Sequence, residues 1–235
     1  MPTTEHLTKQ FDVDLETLRS RILQMGGLIE SQIHAAIEGF YSGNLQLLEQ
    51  VIENERRVNE YEVGIDTECS HIIARRQPAA SDLRMIMGVS KAVTDLERVG
   101  DEAKKIAAVS KEILEGGRLQ TLRLPDIRRA GNIVIGMLRK ALDAFARLDS
   151  VAAADVIRDD AATDEAFRGI VRQLITFMME DPRTISTALE IVWVARAIER
   201  MGDHSKNLAE QVIYIVKGTD VRHTAFEDIE RKASH

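Results

Sequence analysis

One cysteine stands among 235 residues, at position 69. No disulfide can form within the chain, and any thiol chemistry would rest on one residue. Cys69 lies inside a helical pattern, where a small buried hydrophobe is the expected role. Proline is scarce, with four residues at positions 2, 78, 125 and 182, so long stretches can stay helical without a break. Aromatic residues make up 4%, and the mixture leans to Ala, Leu, Ile, Glu and Arg, which favours helix over strand. An excess of cations is missing too: 31 basic residues face 38 acidic ones, a net charge of −7. That argues against binding to a nucleic-acid backbone and against electrostatic adsorption to anionic lipid. The most apolar stretch, 188–198, is interrupted by Glu190 and Arg196, so insertion in a membrane is not expected. The first sixteen residues are polar and lack an apolar signal core. A cytoplasmic helical protein is the expectation.

What is present is a phrase written twice. Glu97-Arg98-Val99-Gly100-Asp101 returns as Glu199-Arg200-Met201-Gly202-Asp203, 199 − 97 = 102 residues later. The repeat extends further. At a shift of 105, Phe40 meets Phe145, Val51 meets Val156, Ile52 meets Ile157 and Ile65 meets Ile170. After Gln77 the shift falls to 102, so the turn at Pro78 is three residues longer than its counterpart. Between 97–107 and 199–209, six of eleven positions are identical.

Prolines and glycines punctuate six helical segments, at about 4–41, 45–76, 81–115, 125–148, 150–180 and 184–217. Ser81 and Asp82 are candidate caps for the third, Pro125 opens the fourth, and Asp149 or Ser150 can cap the fifth. In the first segment Leu15, Leu18, Ile22, Met25, Ile29, Ile33 and Ile37 recur in steps of three and four, the mark of one buried face. The expected fold is all-α: two tandem antiparallel three-helix bundles, 1–117 and 118–218, then a polar, frayed tail at 219–235. Glycines inside the helices (Gly26, Gly27, Gly64, Gly88, Gly136) are expected to permit close helix approach where they are not merely tolerated.

Each copy of the phrase sets two carboxylates four residues apart, on one helix face. The repeat alignment exposes a second pair on the preceding helix: Glu55 and Asn59 in the first half, Asp160 and Asp164 in the second. Glu55 lies 23 residues before Pro78 and Asp101 lies 23 after it; Asp160 and Asp203 flank Pro182 at 22 and 21. Across a short turn, the two pairs of each half can therefore face one another. Four oxygen donors from two helices suit a hard cation such as Mg, Mn, Ca or Fe. The candidate metal ligands are Glu55, Asn59, Glu97 and Asp101, and Asp160, Asp164, Glu199 and Asp203. Asn59 makes the first set the poorer in charge. Gly100 and Gly202 leave room for a metal, a water or a neighbouring helix.

Salt bridges from Lys104, Lys206, Arg98 and Arg200 are the structural alternative for these acids. A di-iron bundle needs Glu-x-x-His on two helices; Glu68-Cys69-Ser70-His71 supplies one, and Gln173 and Thr176 stand at the equivalent places. His204, beside Asp203, reads as a solvated histidine rather than an extra ligand. Neither a phosphate-cradling loop nor a nucleophile motif accompanies the acids. A metal-dependent hydrolase or oxidase is the rival to a non-enzymatic reading.

The strings DLERVGDEAKKIA and AIERMGDHSKNLAE, with the two triple-helix repeats, resemble the PhoU family of phosphate-specific transport system regulators over about residues 5–218. The resemblance implies a cytoplasmic, helical, commonly dimeric protein that is not an enzyme. It implies iron, zinc, manganese or magnesium at the acidic phrases. It implies negative regulation of the phosphate-starvation response and of phosphate uptake, by linking the ATPase subunit of the phosphate ABC transporter to a membrane sensor histidine kinase.

Overall fold

The computed structural model describes residues 3–117 and 124–234. The expected joint between the two units borders residues 118–123, which lie outside the described residues. Six long helices follow one another: α1 Thr3–Ser42, α2 Leu45–Arg76, α3 Ala80–Glu115, α4 Pro125–Arg147, α5 Ser150–Glu180 and α6 Ile185–Lys217. A single 3-10 turn, Pro182–Thr184, separates α5 from α6, and a short α7 spans Phe226–Ser234. No strand occurs among the described residues.

Local chemistry sets the ends. The Asn44 side chain accepts from the Gln46 and Leu47 amides and starts α2; Asp149 does the same for α5 with Val151 and Ala152. Those amides have no partner inside the helix. Gly218, at φ 70°, closes α6 in the left-handed region where a Cβ is costly. The expected caps Ser81 and Asp82 are not used: α3 starts one residue earlier, and Ala79 at its N-cap makes no side-chain bond.

α1, α2 and α3 form one antiparallel bundle, and α4, α5 and α6 form the other. The halves join through α3 against α6 and α1 against α4. α3 and α6 run antiparallel along this seam, since Gly88 lies against Ile215, Asp95 beside His204 and Glu102 beside Arg200. Gly88 is needed there, because a Cβ would stand 2.5 Å from Ile215 Cγ1. Gly26 serves the same end against Leu142 in the α1–α4 contact. Gly27 and Gly136 have nothing within 4 Å and are simply tolerated. One continuous apolar core crosses the seam, so the two bundles share an interior. Leu18, Ile22, Met25, Ile29, Ile33 and Ile37 of the α1 stripe are all buried in it.

The frayed tail is corrected. α7 lies on α5 with Ile229 and Ala233 buried, and the Ser150 hydroxyl donates to the Ala233 carbonyl at 2.8 Å. Arg158 pairs with Glu230 and sits over the Phe226 ring, 5.4 Å from its centroid. The polar composition hid this because a nine-residue helix needs only two or three apolar anchors on one face.

Candidate metal centres

The acidic phrases lie on α3 and α6, and their partners on α2 and α5. The approach of each helix pair depends on the glycine between the two acids. A Cβ at Gly100 would stand 3.1 Å from Val58 Cγ1, and one at Gly202 would stand 2.9 Å from Thr163 Cγ2. The glycines thus serve a neighbouring helix. With the helices this close, the carboxylates of each half feel one another's charge.

In the first half, Glu97 is pushed above the ordinary carboxylate range by burial first, then by Asp101, Glu62 and Glu55. In the second, burial and then Asp203 raise Glu199, while burial and then Asp160 raise Asp203. The acids of each half thus lie near enough to act on one another's charge, Asp164 included in the second. Asn59 donates from Nδ2 to Glu55 Oε1 at 2.8 Å. Lys104 Nζ sits 3.1 Å from Glu55 Oε2, and Lys206 Nζ sits 2.8 Å from Asp160 Oδ2. Arg196 holds Glu199 Oε1 at 2.7 Å. The salt-bridge alternative is therefore realised by the two lysines. Arg200 turns instead to the buried Glu102, at 3.2 Å.

Two oxygen atoms remain unserved: Glu199 Oε2 and Asn59 Oδ1 are buried without a hydrogen-bond partner. Such atoms carry an unrelieved desolvation cost. Among the described residues, no three acidic, histidine or cysteine side chains already close around one point as a metal cage. The donors are all oxygen and two are orphaned, one in each set, which fits a hard cation.

The sequence reading missed Glu62. It lies seven residues after Glu55 on the same α2 face and is raised by burial, then by Asp66 and Asp101. Its repeat equivalent is Phe167, under the Arg196 guanidinium at 5.6 Å, so a search for duplicated acids passes over it. With Glu62 the first set holds four acids, as the second does. The expected poverty of the first half is thereby corrected.

His204 is corrected as well. It is buried, not solvated, and its Nδ1 lies 3.0 Å from Asp95 Oδ1 across the seam, where Asn207 also donates at 3.0 Å. Glu68 bonds Arg21 at 2.7 Å on the α1 side of α2, away from the carboxylate sets. Cys69 is buried, and burial pushes its thiol up to about 12, which leaves it unreactive.

The halves differ in enclosure. A cavity of about 890 Å³ is lined by Asp160, Asp164 and Asp203 together with Lys206, Glu210 and Arg222. The segment after α6 forms its far wall. Glu210 is buried there, and burial pushes its carboxyl up to about 7 against the pull of Lys206.

A family model described as the PhoU domain matches residues 22–109 and again 127–212. The chain belongs to the PhoU family. It is 48% identical over 230 residues to the phosphate-specific transport system accessory protein PhoU homolog of a Burkholderia species, covering 97% of this chain and 98% of that one. It is 41% identical over 227 residues to the Escherichia coli K12 accessory protein PhoU, covering 97% and 93%. The crystal structure of PhoU from Pseudomonas aeruginosa superposes with a TM-score of 0.85 at 46% identity, over 89% of this chain and all of that one. The Streptococcus pneumoniae phosphate transport system regulatory protein PhoU, at 24% identity, TM-score 0.83 and coverage of 90% and 99%, shares the fold. The two family matches coincide with the two bundles, so both carboxylate sets stand at equivalent places in a duplicated PhoU domain.

Proposed function

We propose that this chain is an accessory protein of a phosphate transport system that restrains phosphate uptake and the phosphate-starvation response. Its whole-length identity of 48% to a named accessory protein carries the reading. It acts as a cytoplasmic adaptor between the ATPase subunit of the phosphate ABC transporter and a sensor histidine kinase. No described helix is long and apolar enough to cross a membrane, which suits a protein that meets membrane complexes from one side. The relatives bear accessory and regulatory names, which supports a role that is not enzymatic. A homodimer is part of the proposal. Trp193 is 69% exposed, with Leu189 and Ile185 exposed one and two turns earlier on α6, a stripe of the kind dimer interfaces cover.

The same reading places a hard cation at each carboxylate set, held by Glu55, Asn59, Glu97 and Asp101 and by Asp160, Asp164, Glu199 and Asp203. Magnesium, manganese and iron suit all-oxygen donors better than zinc does. A bound ion would relieve the facing carboxylates and tie α2 to α3 and α5 to α6. Deleting the gene should release alkaline phosphatase activity in phosphate-rich medium; normal repression in the deletion strain would sink the proposal. A pull-down with the transporter ATPase and the sensor kinase, with and without chelator, tests the adaptor role and its metal dependence together.

A further inference from the structure

Lys104 and Lys206 are repeat equivalents, 206 − 104 = 102 residues apart, and so are the acids they hold, since 160 − 55 = 105. The same bond thus recurs in both halves at equivalent positions, at 3.1 and 2.8 Å. An isolated surface pair could be incidental; here the carboxylates are mostly buried, with Glu55 and Asp160 side chains 16% and 14% exposed. The ammonium occupies an oxygen that an incoming metal ion would take. It also ties Glu55 of α2 to α3 and Asp160 of α5 to α6.

The two lysines differ in what they can do next. One turn beyond Lys206, on the same face, stands Glu210, buried in the same cavity and electrostatically coupled to it. One turn beyond Lys104 stands Ala108. We propose that Lys104 and Lys206 are resident counter-cations that a hard metal ion must displace to enter each set, and that Lys206 alone is passed on to a second acid, Glu210. This rests on the metal-binding reading above. The lysines set the free-ion concentration at which each set fills. In the second half, filling moves a charge one helical turn toward Arg222, whose guanidinium lines the same cavity from the C-terminal segment.

The test is a Mn²⁺ titration of the full, chelator-stripped chain, read by the electron paramagnetic resonance of free Mn²⁺. Each half is isolated by silencing the other with Asp101→Ala or Asp203→Ala. Lys206→Met should tighten the second set roughly tenfold and Lys104→Met the first roughly fivefold, because a competitor has gone. Arg200 lines the same cavity but is bonded to Glu102, so Arg200→Met should change Mn²⁺ affinity less than about twofold. Glu210→Gln should weaken the second set roughly threefold and leave the first unchanged. A second readout needs no variant: Mg²⁺ added to ¹⁵N-lysine protein should move the Lys104 and Lys206 ammonium resonances in step with occupancy. Mn²⁺ bound equally by wild type and both lysine variants, with unmoved ammonium resonances, overturns this inference alone. Absence of Mn²⁺ uptake by every protein overturns the metal reading and the inference with it.

Discussion

The two carboxylate sets match in their number of acids and differ in surroundings. Each has four acids on two antiparallel helices around one glycine, with one lysine on Glu55 or Asp160. Beneath the first glycine lies the Gln32 amide, 2% exposed and without a hydrogen-bond partner, beside Val58. Beneath the second, Thr163 donates to Met137 Sδ at 3.2 Å. The second set also opens on a cavity walled by the segment that leads to α7. The halves therefore match in the number of acids but not in their positions, Glu62 standing against Phe167 and Asn59 against Asp164, and they differ in enclosure. The constraint retained twice is electrostatic, and the freedom lies in what covers it.

The largest expected effect probes whether the halves are one structure. Phe40 and Phe145 are repeat equivalents, both buried in the shared core. Truncating either to Ala should cost about 3–5 kcal/mol, with one cooperative unfolding transition in denaturant. Two separate transitions would divide the core into independent bundles and break the comparison.

The pH response comes next. Glu62, Glu97, Glu199, Asp203 and Glu210 all have carboxyls raised in the folded state, burial being the first cause. The folded chain then holds protons that the unfolded chain has released. Their stabilising contribution is fully present at low pH, below the ordinary values of 3.8 for Asp203 and 4.5 for Glu210. It is lost as pH rises, for Glu210 through about 7. Metal-free protein should therefore lose part of its stability between about pH 4 and 7, as followed by urea midpoints. Glu210→Gln should flatten the upper part of that window. Saturating Mn²⁺ should flatten the part owed to the two carboxylate sets, and an unchanged slope would count against them as ion sites.

Smaller effects separate the halves. Gly202→Ala should cost more than Gly100→Ala, by about 1 kcal/mol, since its Cβ would stand 2.9 Å from Thr163 Cγ2, against 3.1 Å from Val58 Cγ1 at Gly100. Thermal melts of the two variants decide the order. Glu62→Gln should weaken Mn²⁺ binding at the first set and leave the second intact, whereas Phe167→Leu should alter neither set by more than about twofold. Loss at both sets on Glu62→Gln would undo the four-against-four count.

Much of this was legible in the sequence, for reasons visible in particular residues. Pro78, Pro125, Asn44 and Asp149 act on the backbone beside them, so helix ends could be read locally. Duplicated acids announced both sets because chance rarely writes the same spacing twice. Glu62 escaped because its equivalent is Phe167, so symmetry discarded the residue that makes the sets equal. His204 was misread because its partner Asp95 lies 109 positions away across the α3–α6 seam, which pattern along one helix cannot show. The docking of α7 is hidden in the sequence because it rests on a few apolar residues, Phe226, Ile229 and Ala233, in a polar segment.

Ion stoichiometry tests the assignment of two cation sites most directly. Chelator-stripped protein titrated with Mn²⁺ should take up ions at two places per chain. Asp101→Ala should remove one, Asp203→Ala the other, and the double variant both. Equal Mn²⁺ content in the wild type and the double variant would contradict it.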